Sequence, residues 1–171
     1  MAENKGRAHE DDDVLDEDED EDSQKDKFMT FRIAKEDYGI EIVHVTEIVG
    51  MQKITEVPDM PDFVKGVINL RGQVIPVIDV RTRFHLESRA YDDRTCVVVV
   101  NISDMSVGLI VDTVNEVVSI PPEQISPPPK VATGTTGRYV QGMGKVGDSV
   151  KILLNVQKLL RDEELQVLTN V

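Results

Sequence analysis

The chain has 171 residues and a formal net charge of −13, with 32 Asp and Glu against 19 Lys and Arg. That length accommodates one ordinary domain, or two very small ones sharing a core, and excludes anything larger. Residues 1–27 hold 13 acidic and 4 basic side chains, so the remainder is nearly balanced and offers no basic face for nucleic acid.

Residues 10–22 are acidic everywhere except Val14 and Leu15. Mutual repulsion and the lack of apolar surface predict a disordered tail over 1–27. Two roles are open to it: a solubilising tail, or an acidic mimic that engages basic surfaces. From Phe28 the pattern alternates with period two, Met29, Phe31 and Ile33 and then Tyr38, Ile40 and Ile42, which predicts a hairpin about Lys35-Glu36-Asp37. Val45, Ile48 and Val49 recur at helical spacing before Gly50, predicting about two turns of helix. Pro58 and Pro61 bracket an irregular connection. Strands Val67–Leu70 and Val74–Ile78 follow around the turn Arg71-Gly72-Gln73, with Pro76 placing part of the second at an edge or bulge.

The second half repeats the style of the first. Cys96–Ile102, Val107–Val111 and Val114–Ile120 are Val-rich runs, several apolar on both faces and so expected to be covered on both. A Pro-rich linker over Pro121–Pro129 and a flexible Ala-Thr-Gly-Thr-Thr-Gly stretch lead to a hairpin, Tyr139–Gly144 and Val150–Leu154. A closing helix turns Val156, Leu159 and Leu160 to the core. Nine or ten short strands with small helices favour two small barrels or a sandwich, an all-β class.

Catalytic chemistry finds no constellation. Gly142-Met143-Gly144-Lys145-Val146-Gly147 satisfies G-x-G-x-x-G, but Ser149–Leu154 after it reads as a strand where a dinucleotide site needs a helix. A hairpin turn with a bulge is the better reading, and a nucleotide-binding enzyme the remote one. His9, His44 and His85 lack companions at metal-ligand spacing. Cys96 stands among valines as a small core residue and has no disulfide partner. Asp92-Asp93 and Asp162-Glu163-Glu164 fall where carboxylates are ordinarily solvated or favour a helix dipole. The Asn101-Ile102-Ser103 sequon lies in a predicted strand and carries no weight. The lone cysteine, and the lack of an apolar leader or spanning run, point to a cytoplasmic protein without membrane insertion.

Four segments resemble the chemotaxis coupling proteins, the CheW-like family: Tyr38–Ile42, Val45–Ile48, Phe63–Gly72 with Pro76–Asp79, and Gly108–Asp112 with Val114. The resemblance runs from Phe28 to about Leu168 and leaves the acidic tail outside. It implies two five-stranded SH3-like β-barrels around a shared core within 28–171. The first spans roughly 28–85 and the second roughly 94–156, with strand exchange between them open, and a C-terminal helix occupies roughly 156–168. It implies a non-catalytic adaptor without cofactor or metal, recruited from the cytoplasm to membrane-associated receptor arrays. Its partners there would be the cytoplasmic tips of methyl-accepting chemoreceptors and the chemotaxis histidine kinase. A related non-flagellar chemosensory pathway is the alternative setting.

Residue by residue, the resemblance carries a receptor-binding groove to Val45, Glu47, Gly66, Arg71 and Val117. Val45 and Val117 would offer apolar surface to a helical tip, Gly66 would permit close backbone approach, and Arg71 would pair with Glu47 on the nearby helix. As a partly buried pair, Glu47 and Arg71 would resist removal of one partner by roughly 3–5 kcal/mol. Without the resemblance, Arg71 reads equally well as a solvated turn residue. A kinase contact is implied around Pro127–Val131. Lys130 and Val131 stand there in place of the aromatic residue common among relatives.

Overall fold

Short β-branched runs favour extended backbone, because branching at Cβ restricts χ1 and packs well on a pleated surface. The structure, a computed structural model, describes residues 24–129 and 136–159. Within them the strands are β1 (Lys27–Ile33), β2 (Glu36–Glu41), β3 (Val45–Gly50), β4 (Val64–Leu70), β5 (Gln73–Asp79), β6 (Cys96–Ile102), β7 (Met105–Val111), β8 (Thr113–Ser119), β9 (Ile125–Ser126), β10 (Val140–Val146) and β11 (Ser149–Leu154). They form a six-stranded sheet, β8-β1-β2-β11-β10-β9, and a five-stranded sheet, β3-β6-β7-β5-β4.

Sheet membership crosses the chain order. The hairpin β1–β2 joins the late strands, and the hairpin β6–β7 joins the early ones. Two parallel pairings make the joins, β5 with β7 and β11 with β2.

Each sheet curls around its own apolar interior. Ile68, Ile75, Val77, Val97, Val99 and Ile110 fill the five-stranded barrel, and Phe28, Ile120 and Leu153 fill the six-stranded one. A third and larger cluster lies between the barrels, joining Phe31, Ile33 and Ile40 of one sheet to Ile78, Val98, Val100 and Leu109 of the other. The run Val97–Val100 shows how one strand serves two cores: alternate residues point into the barrel and into the shared layer, and all four are buried. Continuous rather than alternating apolarity is the signature of such a strand.

The five-stranded barrel closes where the chain after β3 returns to β4. Thr55 and Val67 exchange backbone hydrogen bonds of 2.8 and 2.9 Å. The other barrel closes through β9, which pairs with β10 at Met143 and Gly144. Part of the predicted linker 121–129 is therefore sheet, preceded by a 3-10 turn at Pro122–Gln124.

The predicted helix over Val45–Gly50 is strand β3. Four of its first five residues are β-branched, its burial alternates along the strand, and it pairs with β6 around a bulge between Val45 and Glu47. The apolar spacing mimics a helix because Ile48 stands in the exposed phase and Glu47 in the less exposed one. Pro76 sits as expected on an edge stretch, since β5 meets β7 only from Val77 onward. Gly142–Gly147 runs into an antiparallel hairpin with β11, with its bulge at the far end, between Val140 and Gly142. A short helix at Val80–Arg83, capped by the Asp79 carboxylate on the Thr82 N–H at 3.3 Å, was not expected. The closing helix is described over Val156–Leu159, with Val156 and Leu159 buried. Leu160 and the rest of the predicted helix lie outside the described residues, as do residues 1–23 of the tail.

Candidate protein-binding surface

The β4–β5 hairpin turns on two left-handed residues, Arg71 (φ +52°) and Gly72 (φ +84°), the combination whose twist matches a tight antiparallel hairpin. The Asn69 side-chain oxygen accepts from the Gly72 N–H at 2.9 Å and fixes the turn. Arg71 thus projects from the tip, and its Nη2 donates to Oε2 of Glu47. Glu47 lies on β3 and Arg71 beyond β4, the two outer strands of the five-stranded sheet. The pair therefore bridges the barrel seam on the same side-to-side path as Thr55 and Val67. Glu47 reaches it from a strand and not from a helix. The Arg71 side chain is 71% exposed, so the pair belongs to the solvated class that contributes about 0–1 kcal/mol, below the range expected of a buried one.

Gly66 also has a defined role at the seam. Its φ is +144°, and a Cβ there would stand 2.1 Å from the Thr55 carbonyl oxygen. The close backbone approach it permits is that of the chain's own Thr55. Beside it an open, mainly apolar recess is walled by Val57, Met60, Val64, Val67, Val74 and Pro76, and Val74 is exposed.

Val45 is half-buried, packed against the shared core and paired with Val100. Val117 is exposed on β8, the outer strand of the other sheet, opposite Met29. The structure thus joins Glu47 to Arg71 directly and sets Val45 on the same strand as Glu47, while Val117 belongs to the six-stranded sheet. Lys130 and Val131 lie outside the described residues. Sequence reasoning missed Ile48. Read as the core face of a helix, it falls in the outward phase of β3 and is exposed; period-two alternation would have found it.

Asp112 joins the two sheets. Arg81 grips its carboxylate with a fork of hydrogen bonds, including Nε to Oδ1 at 2.8 Å and Nη2 to Oδ2 at 2.9 Å. The Ala34 N–H from the β1–β2 turn donates to the same carboxylate at 2.8 Å, so one residue ties both sheets. Burial alone would raise the Asp112 pKa, but the hydrogen bonds from Arg81 and Ala34 and the nearby Arg89 charge outweigh it and hold the carboxyl below its ordinary range. Asp37 is held low as well, first by the Lys151 hydrogen bond and then by Arg32, against burial.

Among the described residues, no group of His, Cys, Asp and Glu gathers to hold a metal ion. Cys96 is half-buried at the start of β6, with its thiol against the Arg94 carbonyl at 3.2 Å. No helix of the described residues is long and apolar enough to cross a membrane.

Comparison with known proteins agrees with this architecture. The chain is 41% identical over 145 residues to the chemotaxis protein CheW of Klebsiella aerogenes, covering 85% of this chain and 87% of that one. It is 35% identical over 149 residues to CheW of Treponema pallidum, covering 85% and 88%. The crystal structure of the scaffolding protein TtCheW from Thermoanaerobacter tengcongensis superposes with a TM-score of 0.75 at 38% identity, covering 81% of this chain and 94% of that one. The family model for the CheW-like domain matches residues 27–164. The chain therefore belongs to the CheW-like family of chemotaxis scaffold proteins.

Proposed function

We propose that this chain is a non-catalytic adaptor that couples the cytoplasmic tips of chemoreceptors to the chemotaxis histidine kinase, so that receptor state controls kinase autophosphorylation. The observation that carries the reading is the ion pair of Arg71 with Glu47 across the seam of the five-stranded barrel, with the apolar recess of Val57, Met60, Val67 and Val74 beside Gly66 on the same seam. A charged fork next to exposed aliphatic surface suits a helical partner that presents an apolar stripe edged with polar groups. On this reading Val45, Glu47, Ile48, Gly66, Arg71 and Val117 serve the receptor. Glu47 and Arg71 orient the partner, Ile48 and Val117 supply apolar contact, and Gly66 holds the seam behind them. Lys130 and Val131 serve the kinase. The protein works in the cytoplasm and is recruited to membrane-associated arrays by its partners.

Co-sedimentation of the chain with a receptor cytoplasmic fragment and the kinase tests the proposal. Full-length protein and a form starting at Lys27 are both expected to enter the complex. Failure of the chain to bind either partner overturns it. For the kinase side, Val131→Asp is expected to weaken ternary assembly and leave the binary receptor contact nearly unchanged.

A further inference from the structure

The two halves of the fold repeat each other in strand pairing and register. One constant offset carries β4 onto β10 and β5 onto β11, including a register bulge between Val64 and Gly66 in one hairpin and between Val140 and Gly142 in the other. The same offset carries Asp79 to Asn155. Each caps a four-residue helix, and each donates its backbone N–H at 2.8 Å, to the carbonyl of Phe63 and of Tyr139 respectively. The exchanged hairpins match too: Val77 pairs with Gly108 where Leu153 pairs with Gly39. Reciprocal exchange of equivalent hairpins between equivalent units implies an approximate twofold axis between the barrels, by the logic of an isologous dimer.

Residues on such an axis meet their own counterparts, and Arg83 does. By the offset already stated, Phe63 corresponds to Tyr139 and Arg83 to Leu159. The Arg83 guanidinium carbon lies 4.6 Å from the Phe63 ring centroid and 4.6 Å from that of Tyr139. Its Nε donates to the Leu159 carbonyl at 3.2 Å. A side chain that is 5% exposed thus touches both members of one equivalent pair and the backbone of its own counterpart. A planar, permanently charged fork suits this double stacking, and an ammonium does not supply it. Two arginines at the axis would repel, and the counterpart position holds a fully buried leucine.

We propose that Arg83 is the positioning residue that fixes the two barrels relative to each other. It acts as a single pin through the pseudo-twofold axis, independent of the closure of either barrel and of any partner assignment. The test is amide hydrogen exchange on the full chain in three forms: Arg83→Lys, Arg83→Leu, and Arg83→Leu combined with Leu159→Arg. The axis amides are Asp79 and Asn155, and the barrel-closure amides are Thr55 and Val67. Arg83→Leu is expected to speed exchange at the axis amides about tenfold or more, with closure amides changed less than about twofold. The combined variant returns the guanidinium to the same two rings from the other side and is expected to recover most of that protection. Arg83→Lys keeps charge and length, so it reads the loss of stacking even if the leucine variant does not fold, and it is expected to fall between wild type and Arg83→Leu. Three results each overturn the proposal: wild-type exchange in Arg83→Lys, equal loss at axis and closure amides, or no recovery in the combined variant.

Discussion

Gly66→Ala probes the seam most directly. A Cβ at Gly66 would stand 2.1 Å from the Thr55 oxygen and 2.8 Å from its carbonyl carbon, both backbone atoms that no rotamer can move. The Thr55–Val67 pair must therefore part, removing two hydrogen bonds of 2.8 and 2.9 Å that contribute about 0.5–1.5 kcal/mol each. Alanine at φ +144° adds strain of about 1–3 kcal/mol. The sum is about 2–6 kcal/mol, a fall in Tm on the order of 10 °C for a chain of this size. Gly72→Ala is the control: its φ is also positive, at +84°, but nothing lies within 4 Å of an added Cβ, so only the strain of about 1–3 kcal/mol applies. Thermal unfolding ranks the variants, and hydrogen exchange at the Thr55 and Val67 amides locates the damage. The reasoning is refuted if Gly66→Ala is no less stable than Gly72→Ala, or if both amides stay protected.

The ion pair separates stability from recognition: Arg71→Glu is expected to change unfolding free energy by no more than about 1 kcal/mol, yet to abolish co-sedimentation with a receptor fragment. Exchanging the charges, with Glu47→Arg added, should restore part of that binding, and retention of full binding by Arg71→Glu alone would remove the pair from the interface. Ile48→Asp, on an exposed apolar position, is expected to lose receptor binding with a Tm near wild type; a large drop in Tm would show that Ile48 is core after all. Asp112 predicts a pH effect. Its folded pKa is depressed, so its contribution is complete above the ordinary carboxyl range near about 3.9 and is lost as pH falls through the lower folded value. Urea unfolding between about pH 6 and pH 2 should then show a steeper acid loss in wild type than in Asp112→Asn, and parallel curves would contradict the assignment.

Much of the fold was legible because burial on two faces leaves a signature that composition cannot hide: four consecutive valines, Val97–Val100, have few settings other than a doubly covered strand. Sheet membership was not legible. Whether β6–β7 completes the early barrel or the late one depends on parallel pairings between segments far apart in the chain, and local pattern carries no term for them. Strand β3 was misread because its exposed phase holds an apolar residue, Ile48, and its less exposed phase a carboxylate, Glu47, and the same misreading hid Ile48 by turning an outward residue inward. At the candidate site, pattern placed Arg71 on a hairpin tip, but its partner came from family resemblance, since nothing local links position 71 to position 47. Arg83 was invisible for the opposite reason. Between Thr82 and Phe84 in a run with two arginines it reads as solvated, and only the distant Phe63, Tyr139 and Leu159 make it a buried residue.

The internal repeat links these misses. Val45-Thr46-Glu47-Ile48-Val49 and Val114-Asn115-Glu116-Val117-Val118 are nearly one string. They occupy equivalent outer strands, with Ile48 opposite Val98 and Val117 opposite Met29. Both apolar residues are exposed, so the outward phase of β3 could have been read from β8. At two positions the halves differ by an arginine. Arg71 answers to Gly147 at the tip of the equivalent hairpin, and Arg83 answers to Leu159 at the axis. Duplicated packing positions can drift only among residues of like size and polarity, because each still fills the same kind of core. An arginine in one half only has no such explanation in packing. One of these two arginines marks the seam that faces solvent and the other the axis between the barrels, so at both places the departure from symmetry serves a single, directional contact.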